Sequence, residues 1–313
     1  MEQKVLRVGT VVILLAVLLR LAGNRYDLAQ EAGNALVFMS TGRMVTQTQP
    51  TEASLPPETE TAPQPEAVPV FGQEDMVSVS SSWEVDTLAL LQSPLRWELR
   101  QAQPTVLILH THATESFENT EGYTPSSPYR TLEEEYNMLS LGEAVAGLLE
   151  AAGIGVIHDR TLYDYPDFNS AYGNARAGME QILRENPSIC LVLDLHRDAA
   201  EDAQGNQVAE TVTIQGQETA QLMLVMGSDK GSLSHAQWQK NLGLAVKLQA
   251  QLERDYPGLC RPVQLVTARY NQDLSTGALL VEIGSAGNTR DQALQAARFL
   301  AQGIIALANG ANL

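Results

Sequence analysis

Residues 189–198 read ICLVLDLHRD, an apolar run broken only by Asp194 and ending in His196, Arg197 and Asp198. Apolar residues at successive rather than alternating positions are the form of a strand covered on both faces, which predicts a central strand of a parallel sheet. Outward from it, residues 105–109 (TVLIL) after Pro104 have the same form and run into HTHATE, residues 110–115. Residues 278–283 (ALLVEI) give a third such strand, carrying Glu282. Between these lie helical spacings. Met138, Leu141, Val145, Leu148 and Leu149 stop at Gly153, ahead of a strand at 154–157, and Trp238, Leu242, Ala245, Leu248 and Leu252 end near Pro257 and Gly258. Thr289 with Gln292 forms a capping-box pattern opening a helix through Ala293, Ala297, Leu300, Ile304 and Leu307 to Gly310. Residues 210–214 and 222–226 read as an antiparallel pair. The alternation predicts an α/β fold, a mostly parallel twisted sheet with helices on both faces.

The 313 residues allow one such domain with length left for tails. A formal charge of −17 excludes a nucleic-acid binder, since phosphate contacts need clustered Lys and Arg. Two cysteines, Cys190 and Cys260, exclude a disulfide framework or a multi-cysteine zinc module. Residues 8–19 (VGTVVILLAVLL) carry no charge and are flanked by Lys4, Arg7, Arg20 and Arg25. They read as an uncleaved membrane anchor, a signal peptide being the rival, because no small-x-small cleavage site follows. Residues 44–82 are rich in Pro and Glu, and no Lys or Arg occurs between Arg43 and Arg96, which predicts an extended, disordered linker. The expected organisation is a cytoplasmic end and anchor at 1–25, a juxtamembrane segment and linker at 26–82, and a catalytic domain at 83–313 outside the cytoplasm.

Ligands of open parallel sheets gather beyond the carboxyl ends of the strands. There the predicted strands deliver His110, His112 and Glu115, then His196, Arg197 and Asp198, with Glu282 inside the third. Desolvating several ionisable groups together is costly unless they pair or ligate a cation, so a metal site is expected, and histidines with a carboxylate suit Zn2+. HExxH, G-x-S-x-G and phosphate-binding glycine loops do not occur, which removes the helix-borne zincin, α/β-hydrolase and nucleotide-binding readings.

LHTHATESF (109–117), YNMLSLGEAVAGLLEAAGI (136–154), LDLHRDA (193–199), RYNQDLS (269–275) and LLVEIGSAGNT (279–289) resemble, in order, the motifs of the stage II sporulation protein P family. The resemblance spans about residues 100–309. It implies an amidase-like fold and a zinc-dependent N-acetylmuramoyl-L-alanine amidase acting on peptidoglycan, with endopeptidase activity on cross-linked stem peptides. It also implies a place in endospore engulfment, in the space between mother cell and forespore membranes, beside stage II sporulation proteins D and M. His196 matches the second metal histidine. His112 is preferred over His110 as the first, and Glu134, flanked by Glu133 and Glu135, matches the ligating glutamate of the broader amidases, with Glu115 as the alternative. Glu282 matches the catalytic glutamate. Arg197 is expected either to stabilise developing negative charge or hold a peptide carboxylate, or to pair with Asp198. The alternative function is a catalytically silent peptidoglycan-binding or scaffold protein of the engulfment machinery.

Overall fold

The computed structural model describes residues 76–95, 97–118, 123 and 129–310. The apolar run at 8–19 and the linker up to residue 75 lie outside them. Among the described residues no helix is long and apolar enough to cross a membrane.

A seven-stranded sheet forms the centre. In chain order its strands are β1 (Val79–Ser80), β2 (Val106–Leu109), β3 (Val156–His158), β4 (Leu191–Asp198), β7 (Leu222–Gly227), β8 (Val263–Val266) and β9 (Ala278–Ser285). Across the sheet they lie β1, β8, β7, β9, β4, β2, β3, and every neighbouring pair is parallel except β7 with β9. The fold is thus mixed α/β with a mostly parallel sheet, as expected. β1 pairs with β8, so the folded unit begins ahead of residue 83.

The strand alternation sends Leu191, Leu193, Leu195, Leu279, Val281 and Ile283 into one large core. That core is closed by three helices, α2 (Met138–Ala151), α4 (Trp238–Asp255) and α5 (Arg290–Ala308), while the short α1 (Thr87–Gln92) packs on α4. α5 opens with the expected capping box, Thr289 accepting from Gln292 N and the Gln292 side chain accepting from Thr289 N. The opposite face carries a smaller core of Leu107, Leu109, Val192 and Ala278, covered by α3 (Ala171–Glu185) through Ala175 and Met179. Helices therefore lie on both faces, unequally, and the thinly covered face is the one on which polar side chains are collected.

The antiparallel pair expected between 210–214 and 222–226 is not formed. Gln215 and Gly216, at φ 52° and 80°, make a tight turn that folds β5 (Thr211–Ile214) onto β6 (Gln217–Ala220) instead. β7, buried at every position, joins the main sheet between β8 and β9. Sequence patterning also missed α3, whose buried stripe is only Ala171, Ala175 and Met179 and whose Gly173 and Gly178 weaken the helical signal.

Candidate active site

β4 and β9 run parallel with His196 opposite Glu282, so both side chains share a face with Asp194, two residues earlier on β4. The register shifts between His196 and Asp198, the kind of irregularity that ends regular pairing and re-aims side chains. The loop after β2 passes over this strand end. There His112 meets His196 edge-on, ring centroids 5.3 Å apart, and Glu115 Oε2 lies 3.5 Å from His196 Nδ1. His112, Glu115, His196 and Glu282 are all buried. The wall beside them is aromatic: His112 stacks on Phe168 at 4.2 Å, Tyr172 meets its edge at 5.5 Å, Tyr270 lies 5.7 Å from Tyr172, and the Arg130 guanidinium sits 3.4 Å over Phe168.

The structure separates the two histidines of the HTH triplet. His110 Nδ1 lies 3.1 Å from the Leu195 carbonyl and its Nε2 lies 2.9 Å from His158 Nε2. A carbonyl only accepts, so Nδ1 of His110 donates and its Nε2 accepts from His158. Both nitrogens of His110 are thereby engaged away from His112 and His196. Burial, reinforced by His158, drives its pKa down to about 3, so it stays neutral.

Glu134 is not brought to this cluster. It sits on the short 3-10 turn Glu134–Tyr136, with its side chain 60% exposed, and accepts from Arg160 Nη2 at 2.5 Å. The cause is local. Asn137 caps α2, its buried side chain accepting from Leu139 N and donating to the Thr131 carbonyl, and the chain ahead of it leaves Glu133, Glu134 and Glu135 in solvent.

Arg197 pairs with Glu115 and not with Asp198. Its Nη1 lies 3.6 Å from Glu115 Oε1, its backbone N donates to Glu115 Oε2, and Nε and Nη2 donate to the Ser116 and Tyr129 carbonyls. Asp198 accepts from Arg261 instead, at 2.5 Å. Arg197 thus holds the Glu115 loop against β4.

Electrostatics follow from this packing. Burial pushes Glu282 up to about 8, and Asp198 and Glu115 add to the rise against His196, so its carboxyl keeps a proton at neutrality. Glu115 is also fully buried, but Arg197 and His196 outweigh desolvation and hold it at about 2. Burial depresses His112 to about 3. Burial opposes charge on His196 too, yet Asp194 and Glu115 together hold it well above the usual imidazole range.

Two histidines and a carboxylate in one cluster are donors of the kind zinc takes. Among the described residues no three His, Cys, Asp or Glu side chains converge on a single point. Their chemistry nonetheless suits the ion. Two ligand atoms held tetrahedrally at roughly 2.0–2.1 Å from zinc are about 3.3 Å apart, close to the 3.5 Å between His196 Nδ1 and Glu115 Oε2. The Nδ1 of His112 and Oε2 of Glu282 are buried without a hydrogen-bond partner, and such orphaned atoms in a polar cluster call for a water or an ion. On these grounds the residues fit zinc.

Residues 27–305 match the family described as Stage II sporulation protein P (SpoIIP). The chain belongs to that family. Stage II sporulation protein P of Bacillus subtilis (strain 168) is 27% identical over 208 residues, covering 61% of this chain and 48% of that protein. The chain therefore spans about half the length of this curated relative. Among solved structures, the N-acetylmuramoyl-L-alanine amidase AmiC2 of Nostoc punctiforme aligns at a TM-score of 0.41 and 15% identity, over 66% of this chain and 97% of that one. The N-acetylmuramoyl-L-alanine amidase from Clostridium difficile 630 aligns at 0.40 and 15%, over 67% and 100%. Both likenesses are too distant to fix fold or activity.

Sequence reading did not single out Asp194, Phe168 or Tyr172. Asp194 left one signal, a lone carboxylate within an apolar strand, which burial obliges to find partners. Phe168 and Tyr172 left none, because they stand between predicted elements.

Proposed function

We propose that the chain is a membrane-anchored cell-wall hydrolase of sporulation that cleaves the amide between N-acetylmuramic acid and the stem peptide, and also cross-linked stem peptides. The observation that carries the reading is the register of β4 and β9, which puts His196 and Glu282 side by side on one face, with His112 and Glu115 against them. Family membership supports the sporulation setting. The proposed placement is a single-pass anchor at residues 8–19, the domain lying outside the cytoplasm between mother cell and forespore, where stage II sporulation proteins D and M are the expected partners.

His112, His196 and Glu115 would hold the zinc, with Glu115 favoured over Glu134 because it already contacts His196. When bound, zinc supplies an acidified water and polarises the amide carbonyl. Glu282 handles the proton. Glu282, which would ionise once a cation's charge offsets its burial, takes the proton from the attacking water and returns it to the departing nitrogen, first as base and then as acid. A buried carboxyl whose pKa lies near neutrality is suited to both halves. Arg197 keeps Glu115 ionised and in place through its contacts with Glu115 and the Ser116 and Tyr129 carbonyls. The aromatic wall of Phe168 and Tyr172 excludes water from the His112 side.

Incubating the intact chain with purified sacculi tests this reading. Release of free stem peptides, abolished by chelation and restored by zinc, is expected. Undiminished release after exhaustive chelation removes zinc from the mechanism, and no release from any sacculus leaves a scaffold role.

A further inference from the structure

Asp194 lies two residues before His196 on β4, on the same face, with its side chain buried. Its two oxygens are both engaged. Oδ1 accepts from the Thr111 backbone N at 2.8 Å and Oδ2 from the Thr111 hydroxyl at 2.6 Å. Oδ1 also stands 3.0 Å from His196 Nε2, a charge contact outside good hydrogen-bond alignment. One carboxylate therefore grips the loop immediately before His112 and the imidazole of His196 at once.

This geometry has a direct consequence for the histidine. In the neutral imidazole that a metal ligand must be, the nearer carboxylate decides: Asp194 at 3.0 Å from Nε2, against Glu115 at 3.5 Å from Nδ1, favours the proton on Nε2 and leaves the lone pair on Nδ1. Such partners of a ligating histidine fix its tautomer and ring orientation. Asp194 faces the Nε2 side of the ring and Glu115 the Nδ1 side, so the two carboxylates do not meet at one ligand position. A purely structural role explains the Thr111 bonds but not the His196 contact.

We propose that Asp194 is the positioning residue of the site, locking His196 with Nδ1 presented to the metal and holding the His112 loop in register with it. The proposal rests on the zinc reading above and deepens it. It makes the two metal-binding strand ends one unit: a change at Thr111 or Asp194 alters the site although neither residue touches the ion.

The test is zinc affinity of the intact chain, measured by competition with a chromophoric chelator. Asp194→Asn keeps the size and one acceptor oxygen but loses the charge, and zinc binding is expected to weaken by roughly 10- to 100-fold. Thr111→Val removes only the hydroxyl grip on Oδ2 and is expected to weaken it several-fold, and this variant decides the matter if Asp194→Asn fails to fold. Nitrogen NMR of the zinc-loaded chain reads which nitrogen of His196 is metallated: Nδ1, with the proton on Nε2, is expected in the parent, and a share metallated through Nε2 is expected in Asp194→Asn, a change that a structural role would not produce. Zinc affinity within twofold of the parent in a folded variant, with an unchanged tautomer, overturns the proposal. A parent chain that binds no zinc overturns the functional reading and this inference with it, whereas a zinc-binding parent with unaffected variants overturns only the inference.

Discussion

Gly142 on α2 is where the helix layer meets the His110–His158 pair. A Cβ built at this position would stand 2.5 Å from His110 Nε2 and 2.8 Å from its Cε1, and would also clash with His158 Nε2. Replacing a helix-interior glycine by alanine normally stabilises, by about 1 kcal/mol. Here the methyl enters a packed site, and inserting a methyl group there costs about 1–3 kcal/mol. His110 cannot retreat freely, because its Nδ1 is bonded to the Leu195 carbonyl beside His196. Steric cost therefore exceeds propensity gain, and Gly142→Ala is expected to destabilise by about 1 kcal/mol, read as a fall in the urea midpoint at unchanged slope. His158→Ala removes one of the two walls while His110 stays in place, so adding Gly142→Ala to that background is expected to cost less than in the parent, giving a coupling of about 1 kcal/mol between the two sites. An alanine at position 142 that stabilises the parent, or that has the same effect in the parent and in the His158→Ala chain, would refute the packing argument.

Two further outcomes follow from the site. Glu115→Gln is expected to weaken zinc binding about 100-fold or more, since it removes a charged donor next to His196, while Glu134→Gln is expected to leave it unchanged; the reverse ranking in metal titrations would return Glu134 to the ligand set. With chelator present, stability is expected to peak near pH 6.5. Below that pH the unfolded chain protonates His110, His112, His158 and His235, all of which burial holds below the usual imidazole range in the folded chain, His110 and His112 at about 3, and Glu282, held up to about 8, offsets only one of these protons. The folded state then binds fewer protons and loses about 1.4 kcal/mol per pH unit for each proton of the difference on acidification. Above pH 6.5, His196 and Glu282 keep protons that the unfolded chain has released, so stability falls as pH rises. Urea midpoints that change in one direction across pH 5 to 8 would contradict this balance.

The parts of the fold legible in the sequence are those where one physical demand dominates. β2, β4 and β9 are covered on both faces and so are apolar at nearly every position, and their chemistry sits at strand ends where a charged residue interrupts the run. The α2 and α5 stripes were legible because leucine and valine recur at helical spacing. α3 buries alanines that any surface helix can carry, so its pattern was silent. β7 read correctly as a strand, but its partner was set by the Gln215–Gly216 turn and by sheet order, which no local pattern encodes. At the site, spacing marked both histidines of the HTH triplet and could not rank them, because the distinction lies in His158, 48 residues beyond His110. Glu134 rests on its match to the ligating glutamate of the broader amidases, and such a match does not see the Asn137 cap that turns that segment outward.

The most direct test of the central claim is a paired measurement of bound zinc and stem-peptide release for Glu282→Gln and His196→Ala. Glu282→Gln keeps the shape of a buried side chain that neighbours His196 but cannot accept the water proton. It is expected to retain zinc while turnover falls by about 100-fold or more, the scale of lost general acid–base catalysis. His196→Ala is expected to lose both, since two remaining protein ligands rarely hold a catalytic zinc. Near-parental turnover by Glu282→Gln, or full zinc occupancy and activity in His196→Ala, would contradict the account.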